Sequence, residues 1–379
     1  MAGIYIHIPF CKSRCAYCDF HSGTDFSLKD KYINALCAEL HIRKNYFFEN
    51  VKTVYFGGGT PSLLKYEDFL RILNAVNENY SLSQNTEMTI EANPDDISKE
   101  YVEMLRGLGF NRISIGIQSF NDKELQLINR RHSAEKAREA VKNCQKAGFQ
   151  NISIDLIYGL PAQTLETWEN NLNEAIALDV QHISAYHLTY EKGTKICQML
   201  EKNEIRQVSE ETSLEMFKML TGKLKSAGFE HYEISNFAQK GFRSQHNSAY
   251  WNDEKYIGVG TAAHSYNGIS RQWNVSDTKK YIDGKSFFEI EDLTETEKYN
   301  DFVITRLRTC EGIDLSVLKE KFGEKLLQYC LKNAEKWIAT RHCIYTCQAR
   351  NDKTTNARLV LTEKGIFVSD CIFEGLIFA

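Results

Sequence analysis

The sequence predicts an α/β protein: a partial, open (β/α)6 barrel with a smaller, mainly helical, winged-helix-like C-terminal domain. Three observations carry this. Six short apolar runs alternate with helical periods over the first half of the chain. Polar residues recur where those runs end. The alternation then stops after about Glu191.

The runs that read as strands are Ile4–Ile8, Thr53–Phe56, Met88–Ala92, Ile113–Ile117, Ile152–Ile157 and Ile183–Leu188. Between them, helices are expected over Leu28–Phe47 with Ser27 as N-cap, then Lys65–Tyr80, Lys99–Leu108, Ala134–Ala147 and Leu165–Leu178. Gly109 and Gly148 stand where helix ends favour glycine. Six strand–helix units fall short of the eight that close a barrel. Glu201–Ala227 reads as a charged helical bridge, and Phe229–Trp273 is rich in glycine and aromatics. Thr294 and Glu297 form a capping box opening a helix to about Arg308. Two more helices and a strand pair come after it, with Asn351-Asp352-Lys353 as the turn between the strands. The expected divisions are a barrel over 1–195, a bridging and aromatic-motif region over 196–285, and the C-terminal domain over 286–379.

The chemistry starts at Cys11-x3-Cys15-x2-Cys18, with no fourth cysteine close behind. Iron–sulfur clusters are normally held by four thiolates. Three would hold three irons of a cubane and leave the fourth open to a small chelating ligand such as S-adenosylmethionine, a radical-generating cofactor. The same thiolates completed by His7 or His21 would also suit zinc. Cys343-x3-Cys347 is a weaker, second metal candidate. Gly57-Gly58-Gly59-Thr60-Pro61 comes after the second strand and exposes backbone to a ligand, without the lysine of a phosphate-binding loop. Glu91, Gln118 and Asp155 lie late in the third, fourth and fifth strands. An active site at the C-terminal ends of the strands is the rule for parallel barrels. Later come His246-Asn247-Ser248-Ala249-Tyr250-Trp251 and, as a second candidate, His264. Histidine ligates heme iron, and flat aromatics suit a porphyrin.

A net charge of −4 gives no basic field for nucleic acid. No apolar run approaches a membrane span, and the first residues lack a signal pattern. Eleven irregularly spaced cysteines then fit a reducing cytoplasm better than a disulfide framework.

Taken together, Tyr5-Ile-His-Ile-Pro-Phe-Cys11, Gly57–Pro61, Gly116-Ile-Gln118-Ser-Phe and Asp155–Pro161 resemble the radical S-adenosylmethionine superfamily. More narrowly they resemble the branch holding oxygen-independent coproporphyrinogen III oxidase and the HemW-type heme chaperones. The oxidases place a cysteine two residues after the third cluster cysteine, where this chain has Phe20, and carry a long N-terminal extension that is not seen before Tyr5. His246 to Trp251 matches the HemW-type pattern His-Asn-x-x-Tyr-Trp. The resemblance therefore implies a protein that binds heme and delivers it, without oxidase activity; a true oxidase using a 5′-deoxyadenosyl radical is the alternative. It implies that Cys11, Cys15 and Cys18 hold a 4Fe-4S cluster. Tyr5, Tyr17, Gly58, Gly59, Thr60, Glu91, Gln118, Arg130 and Asp155 would contact S-adenosylmethionine. His246 would ligate heme, with Tyr250 and Trp251 shaping the pocket. The implied partners are heme, an acceptor hemoprotein and an electron donor to the cluster, with a membrane met only through a partner.

Overall fold

A computed structural model describes residues 2–284, 287–339, 344–348 and 357–378. Strands β1 (Ala2–Ile8), β2 (Val51–Gly58), β3 (Leu82–Ala92), β4 (Arg112–Gln118), β5 (Ile152–Tyr158) and β6 (His182–His187) pair parallel in sequence order. Their side chains alternate between faces. On β1, Ile4, Ile6 and Ile8 are fully buried against the helices, while Tyr5 and His7 take the other, concave face. Outside lie α1 (Lys29–Ile42), α2 (Tyr66–Asn79), α3 (Lys99–Gly107), α4 (Asp122–Leu127), α5 (Ala134–Lys146) and α6 (Leu165–Ala177). Ser98, Ser133 and Thr164 cap α3, α5 and α6 by accepting a backbone N–H three residues on.

Two expectations at α1 are corrected. Ser27 is not its cap; Leu28 holds that place, and Ser27 closes a turn on Asp25. The helix also stops at Ile42 rather than Phe47. There Arg43 turns inward, donating to Glu39 at 2.8 Å, to the Gly258 carbonyl at 3.0 Å and to Ser265 at 2.9 Å. Truncating Arg43 would remove the ionic partner of buried Glu39, a destabilising change, although the carboxylate would keep its bonds from Gly260, Asn274 and Tyr281.

The shorter α7 (Lys195–Glu201) ends where the expected 201–227 stretch begins, and of that stretch only α8 (Glu210–Ser226) is helical beyond its first residue. Asn203 at φ +58° comes after the first, and Ser209 caps the second. Beyond α8 the chain adds strands to both edges of the sheet. Strands β7 (Glu230–Glu233) and β8 (Asn236–Ala238) extend it antiparallel beyond β6. After α9 (Gln245–Trp251), β9 (Lys255–Val259) pairs parallel with the free edge of β1. Strands β10 (His264–Tyr266) and β11 (Ser270–Asn274) come next, then α10 (Thr278–Asp283) and β12 (Phe288–Asp292). The result is one open sheet of twelve strands with β12 and β7 at its edges.

The C-terminal part has its own apolar core, including Tyr299, Phe302, Leu318, Leu359 and Ile372. It comprises α11 (Glu295–Leu307), β13 (Ile313–Asp314), α12 (Leu315–Ala339, broken at Gly323), β14 (Ile344–Gln348), β15 (Ala357–Leu361), α13 (Glu363–Phe367) and α14 (Ser369–Leu376). The Thr294–Glu297 capping box forms, with both reciprocal bonds. The strands make a three-stranded sheet, and helices also come after the strand pair instead of only preceding it. Asn351-Asp352-Lys353 and Cys343 lie outside the described residues. Among the described residues no helix is long and apolar enough to cross a membrane.

Candidate functional site

The cysteine loop leaves β1 and is pinned at several points. At its neck the Cys11 N–H donates to the Gly23 carbonyl at 2.9 Å, and Gly23 returns the bond to Pro9 at 2.8 Å. Ala16 N–H reaches the Ile128 carbonyl, and the Asn129 amide reaches that of Arg14. All three thiols are free; Cys11 is buried, Cys15 and Cys18 half-buried. Two sulfurs already accept hydrogen bonds. Thr60 Oγ1 donates to Cys11 Sγ at 3.4 Å, and Arg130 Nη1 to Cys15 Sγ at 3.2 Å. Tyr17 lies beside Cys15 and Arg130, its phenol pushed up chiefly by burial.

Among the described residues, no three His, Cys, Asp or Glu side chains gather around one ion position. A single ion needs ligands that converge, whereas a cubane takes one thiolate per iron and needs them spread. Three free thiols on one pinned loop, with a guanidinium and a hydroxyl aimed at two of the sulfurs, are a donor set that fits a cluster. Hydrogen bonds to sulfur are also a protein's means of tuning cluster potential.

The glycine run also meets a packing need. A Cβ on Gly57 would come within 2.9 Å of the Tyr5 and Tyr55 rings, and one on Gly58 within 2.5 Å of the His7 ring. A Cβ on Gly59 would lie 2.9 Å from the Ile8 carbonyl and 3.0 Å from Cys11 Sγ. The space saved is filled by β1 and the cysteine loop, so the glycines draw β2 against the first cysteine. Gly58 further needs glycine for its φ of +111°.

Glu91 sits across from this run. Tyr55 donates to its Oε1 at 2.8 Å and the Gly58 N–H to its Oε2 at 3.1 Å. Burial is the main cause pushing its carboxyl up to about 7; Asp155 adds to the rise, while Tyr55, Gly58 and Arg112 oppose it. Burial also raises Asp155, which accepts from Ser114 at 3.3 Å. Arg130 donates to Asn93 at 2.7 Å and to the Gly116 carbonyl as well as to Cys15. Gln118, at φ +70°, lies under Gly116, where a Cβ would meet its amide at 2.9 Å. So Gly58, Gly59, Thr60, Glu91, Gln118, Arg130, Asp155, Tyr5 and Tyr17 gather at one mouth of the barrel with the three cysteines. Sequence reasoning passed over Tyr55, which orients Glu91, and weighed His7 only as a zinc ligand, whereas its ring bonds Tyr5 and the His21 carbonyl at 3.1 and 3.0 Å. Their signal was available: each shares a strand face with a residue already singled out, Tyr55 with Gly57 and His7 with Tyr5.

His246 is buried and fully hydrogen-bonded. It opens α9, is 2% exposed, and lies beneath Tyr5 and Tyr55. Both ring nitrogens are engaged, Nδ1 with Thr53 Oγ1 at 2.8 Å and Nε2 with Tyr250 Oη at 2.7 Å. Burial, helped by Arg112, holds its pKa down at about 3. For His246 to offer a nitrogen to iron, one of these two hydrogen bonds would have to be given up. Tyr250 is held in the same bond. Trp251 points to the C-terminal part, under the Arg308 guanidinium at 4.9 Å. His264 contrasts with it. Its side chain is exposed beside Trp273, with which it pairs across β10 and β11, and its ring makes no hydrogen bond among the described residues.

Residues 5–175 match the radical SAM superfamily and residues 293–368 the HemN C-terminal domain. A heme chaperone HemW of Bacillus subtilis (strain 168) is 37% identical over 335 residues, covering 86% of this chain and 88% of the relative. The HemW of Lactococcus lactis is 33% identical over 98% of this chain and 96% of its own. The fold is that of the coproporphyrinogen III oxidase HemN of Escherichia coli, with a TM-score of 0.84 at 23% identity over 99% of this chain and 90% of that one. This chain belongs to the HemW family of radical SAM proteins, a membership that implies a 4Fe-4S cluster and S-adenosylmethionine.

Proposed function

We propose that this chain is a cytoplasmic heme chaperone, which binds heme and passes it to an acceptor hemoprotein. Cys11, Cys15 and Cys18 would hold the cluster, which would supply a chelation point for S-adenosylmethionine. Glu91, held by Tyr55 and Gly58, receives a cationic group of that ligand. Tyr5, Tyr17, Gly59, Thr60, Gln118, Arg130 and Asp155 complete its surroundings. We assign the cluster and S-adenosylmethionine to residues 1–195, and heme to the region 196–285.

The observation that carries the chaperone reading is Phe20. It stands where the oxidases carry a further cysteine, and it is an apolar side chain 64% exposed at the rim of the cysteine loop. It lines an open cleft of about 460 Å³ with Arg14, His21 and Ala262. Two residues on from Ala262 is His264. By strand register, His264, Tyr266 and Trp273 share one face, and Tyr266 pairs with Tyr256 opposite Gly3, on the face that carries Tyr5. The concave face of the barrel thus continues outward to an exposed imidazole with an aromatic neighbour. This favours His264 over His246 as the iron ligand.

The test uses anaerobically reconstituted full-length protein. Heme should bind with a Soret band that His264→Ala shifts or abolishes, and bound heme should move to apomyoglobin. Coproporphyrinogen III offered with S-adenosylmethionine and a reductant should give no protoporphyrinogen. Catalytic release of carbon dioxide in that assay would replace the chaperone with the oxidase.

A further inference from the structure

We propose that His246 is a positioning residue for Glu91, supporting from beneath the Tyr55 ring that orients the carboxylate. The inference rests on the assignment of Glu91 to S-adenosylmethionine. His246 lies 4.8 Å from the Tyr55 ring at an interplanar angle of 23°, and 6.3 Å from Tyr5 at 28°. Tyr5 in turn stacks on Tyr55 at 6.0 Å and 27°. Three rings on β1, β2 and α9 therefore lie against one another at similar tilts, and the Tyr55 phenol, nearest to His246, reaches Glu91 at 2.8 Å.

The imidazole is itself held from every side. Thr53, on the Tyr55 face of β2, fixes one nitrogen and Tyr250, one turn along α9, fixes the other. A neutral imidazole has one donor and one acceptor nitrogen, and hydroxyls on both sides satisfy either tautomer. The backbone N–H groups of Gln245 and His246 both donate to Glu87 on β3, each at 3.1 Å, which anchors the start of α9 to the barrel wall. Gly3 allows the approach, since a Cβ there would meet Thr53 Oγ1 at 2.7 Å and His246 Nδ1 at 3.4 Å. A ring fixed at both nitrogens cannot slide, so the Tyr55 ring resting on it is limited to one attitude. Its hydroxyl is then aimed at Glu91 before a ligand arrives. Preorganisation of this kind is felt when the ligand binds, because less ordering remains to be done.

The experiment compares His246→Ala, His246→Gln and Tyr250→Phe in the reconstituted full-length chain. S-Adenosylmethionine affinity is read from its effect on the EPR signal of the reduced cluster, and heme affinity from the Soret band. His246→Ala should weaken S-adenosylmethionine by about tenfold, with iron content and heme affinity unchanged. His246→Gln, which keeps one planar donor and acceptor, should recover part of the loss. Tyr250→Phe frees only Nε2 and should cost about threefold. A lost Soret band with unchanged S-adenosylmethionine affinity would overturn the proposal in favour of a heme ligand. Unchanged affinity for both ligands would reduce His246 to core filling. Should His246→Ala fail to fold, unchanged S-adenosylmethionine affinity in Tyr250→Phe overturns the proposal alone. Glu91→Gln separates this inference from its premise: if that variant binds S-adenosylmethionine normally, the assignment of Glu91 is wrong. If Glu91→Gln binds weakly while the His246 variants bind normally, only the role of His246 falls.

Discussion

The cysteine loop and helix α9 are both short runs of potential ligands, yet their hydrogen bonds are opposite in kind. In the loop, two sulfurs receive bonds from Thr60 and Arg130, the kind of donors that a thiolate already bound to iron can still accept. Their arrangement leaves valence for something that is not protein. In α9, His246 and Tyr250 satisfy each other and Thr53. The same residue type that serves as a ligand when a nitrogen is free serves as a strut when both are tied. What decides between ligand and strut is the accounting of each polar atom, which a motif alone does not contain.

The largest effect that could break this contrast is at the cysteines. Alanine at Cys11, Cys15 or Cys18 should abolish the broad charge-transfer absorbance of the cluster and bring iron content close to zero, since no spare thiolate stands in the loop. Cys371→Ala, at an exposed position on α14, should leave both intact. Loss of the cluster from a well-folded Cys371 variant would mean that the ligand set extends beyond the loop.

Next in size is Glu91. Removing one good hydrogen bond to a charged ligand costs about 1.5–3 kcal/mol, so Glu91→Gln should weaken S-adenosylmethionine roughly ten- to a hundredfold. The pH dependence sharpens this. Burial pushes the Glu91 carboxyl up to about 7, and it faces Tyr55, the Gly58 N–H, Arg112, Asp155 and the Tyr5 phenol. A cationic ligand prefers the carboxylate, so below about 7 binding must first displace a proton. Affinity should fall by up to about tenfold per unit below that pH and level off above it, and Glu91→Gln should flatten the profile. The stability sign is the reverse. A carboxyl raised in the folded state stabilises the fold while protonated, and that contribution is lost as pH rises from its usual range through about 7. A flat binding profile in the unsubstituted protein would put the ligand's cation elsewhere.

Smaller again is Arg130, which the contrast treats as a partner of sulfur. Arg130→Gln should leave a cluster in place but remove a positive charge and an N–H from Cys15. Loss of either disfavours the more negative, reduced cluster. The potential should fall by about 60 mV, which for a one-electron couple is a tenfold change. An unchanged potential would make the 3.2 Å contact to Cys15 incidental to the cluster.

Much of the fold and of the site was legible in the sequence, for reasons that differ by region. Strands β1 to β6 are long, apolar on the helix side and separated by well-capped helices, so periodicity located them. Polar residues at their ends fell on one mouth because parallel strands all point the same way. The strands of 230–292 escaped notice because they are three to five residues long and carry charged or polar side chains, as in Glu230–Glu233 and Phe288–Asp292. Their pairing is dictated by the free edges of β1 and β6, which no local pattern encodes. Glycines 57–59 were legible as special, but the packing they permit was not: most of the atoms that crowd their missing Cβ positions belong to β1, the Cys11 loop and Glu91, tens of residues away. For His246 the sequence could not show that one ring nitrogen is engaged by Thr53, because Thr53 is remote in sequence from that helix.

The smallest effect tests how far the strut extends. The outer side of α9 faces the C-terminal part. There Trp251 lies under Arg308, Arg306 donates to Asn252 at 2.6 Å, and Lys321 pairs with Asp253 at 2.7 Å. The Lys321–Asp253 pair is well exposed, with about two-fifths of each side chain in solvent, and pairs of that kind are worth roughly 0.2–1 kcal/mol. Lys321→Ala should therefore lower the urea midpoint only slightly, and the difference should vanish in high salt, where exposed charges are screened. S-Adenosylmethionine affinity should not change, because the inner bonds from His246 to Thr53 and Tyr250 are untouched. An affinity loss comparable with that of His246→Ala would contradict this division. It would mean that α9 moves as one rigid piece, and that the C-terminal part sets the attitude of Tyr55 from the far side of the helix.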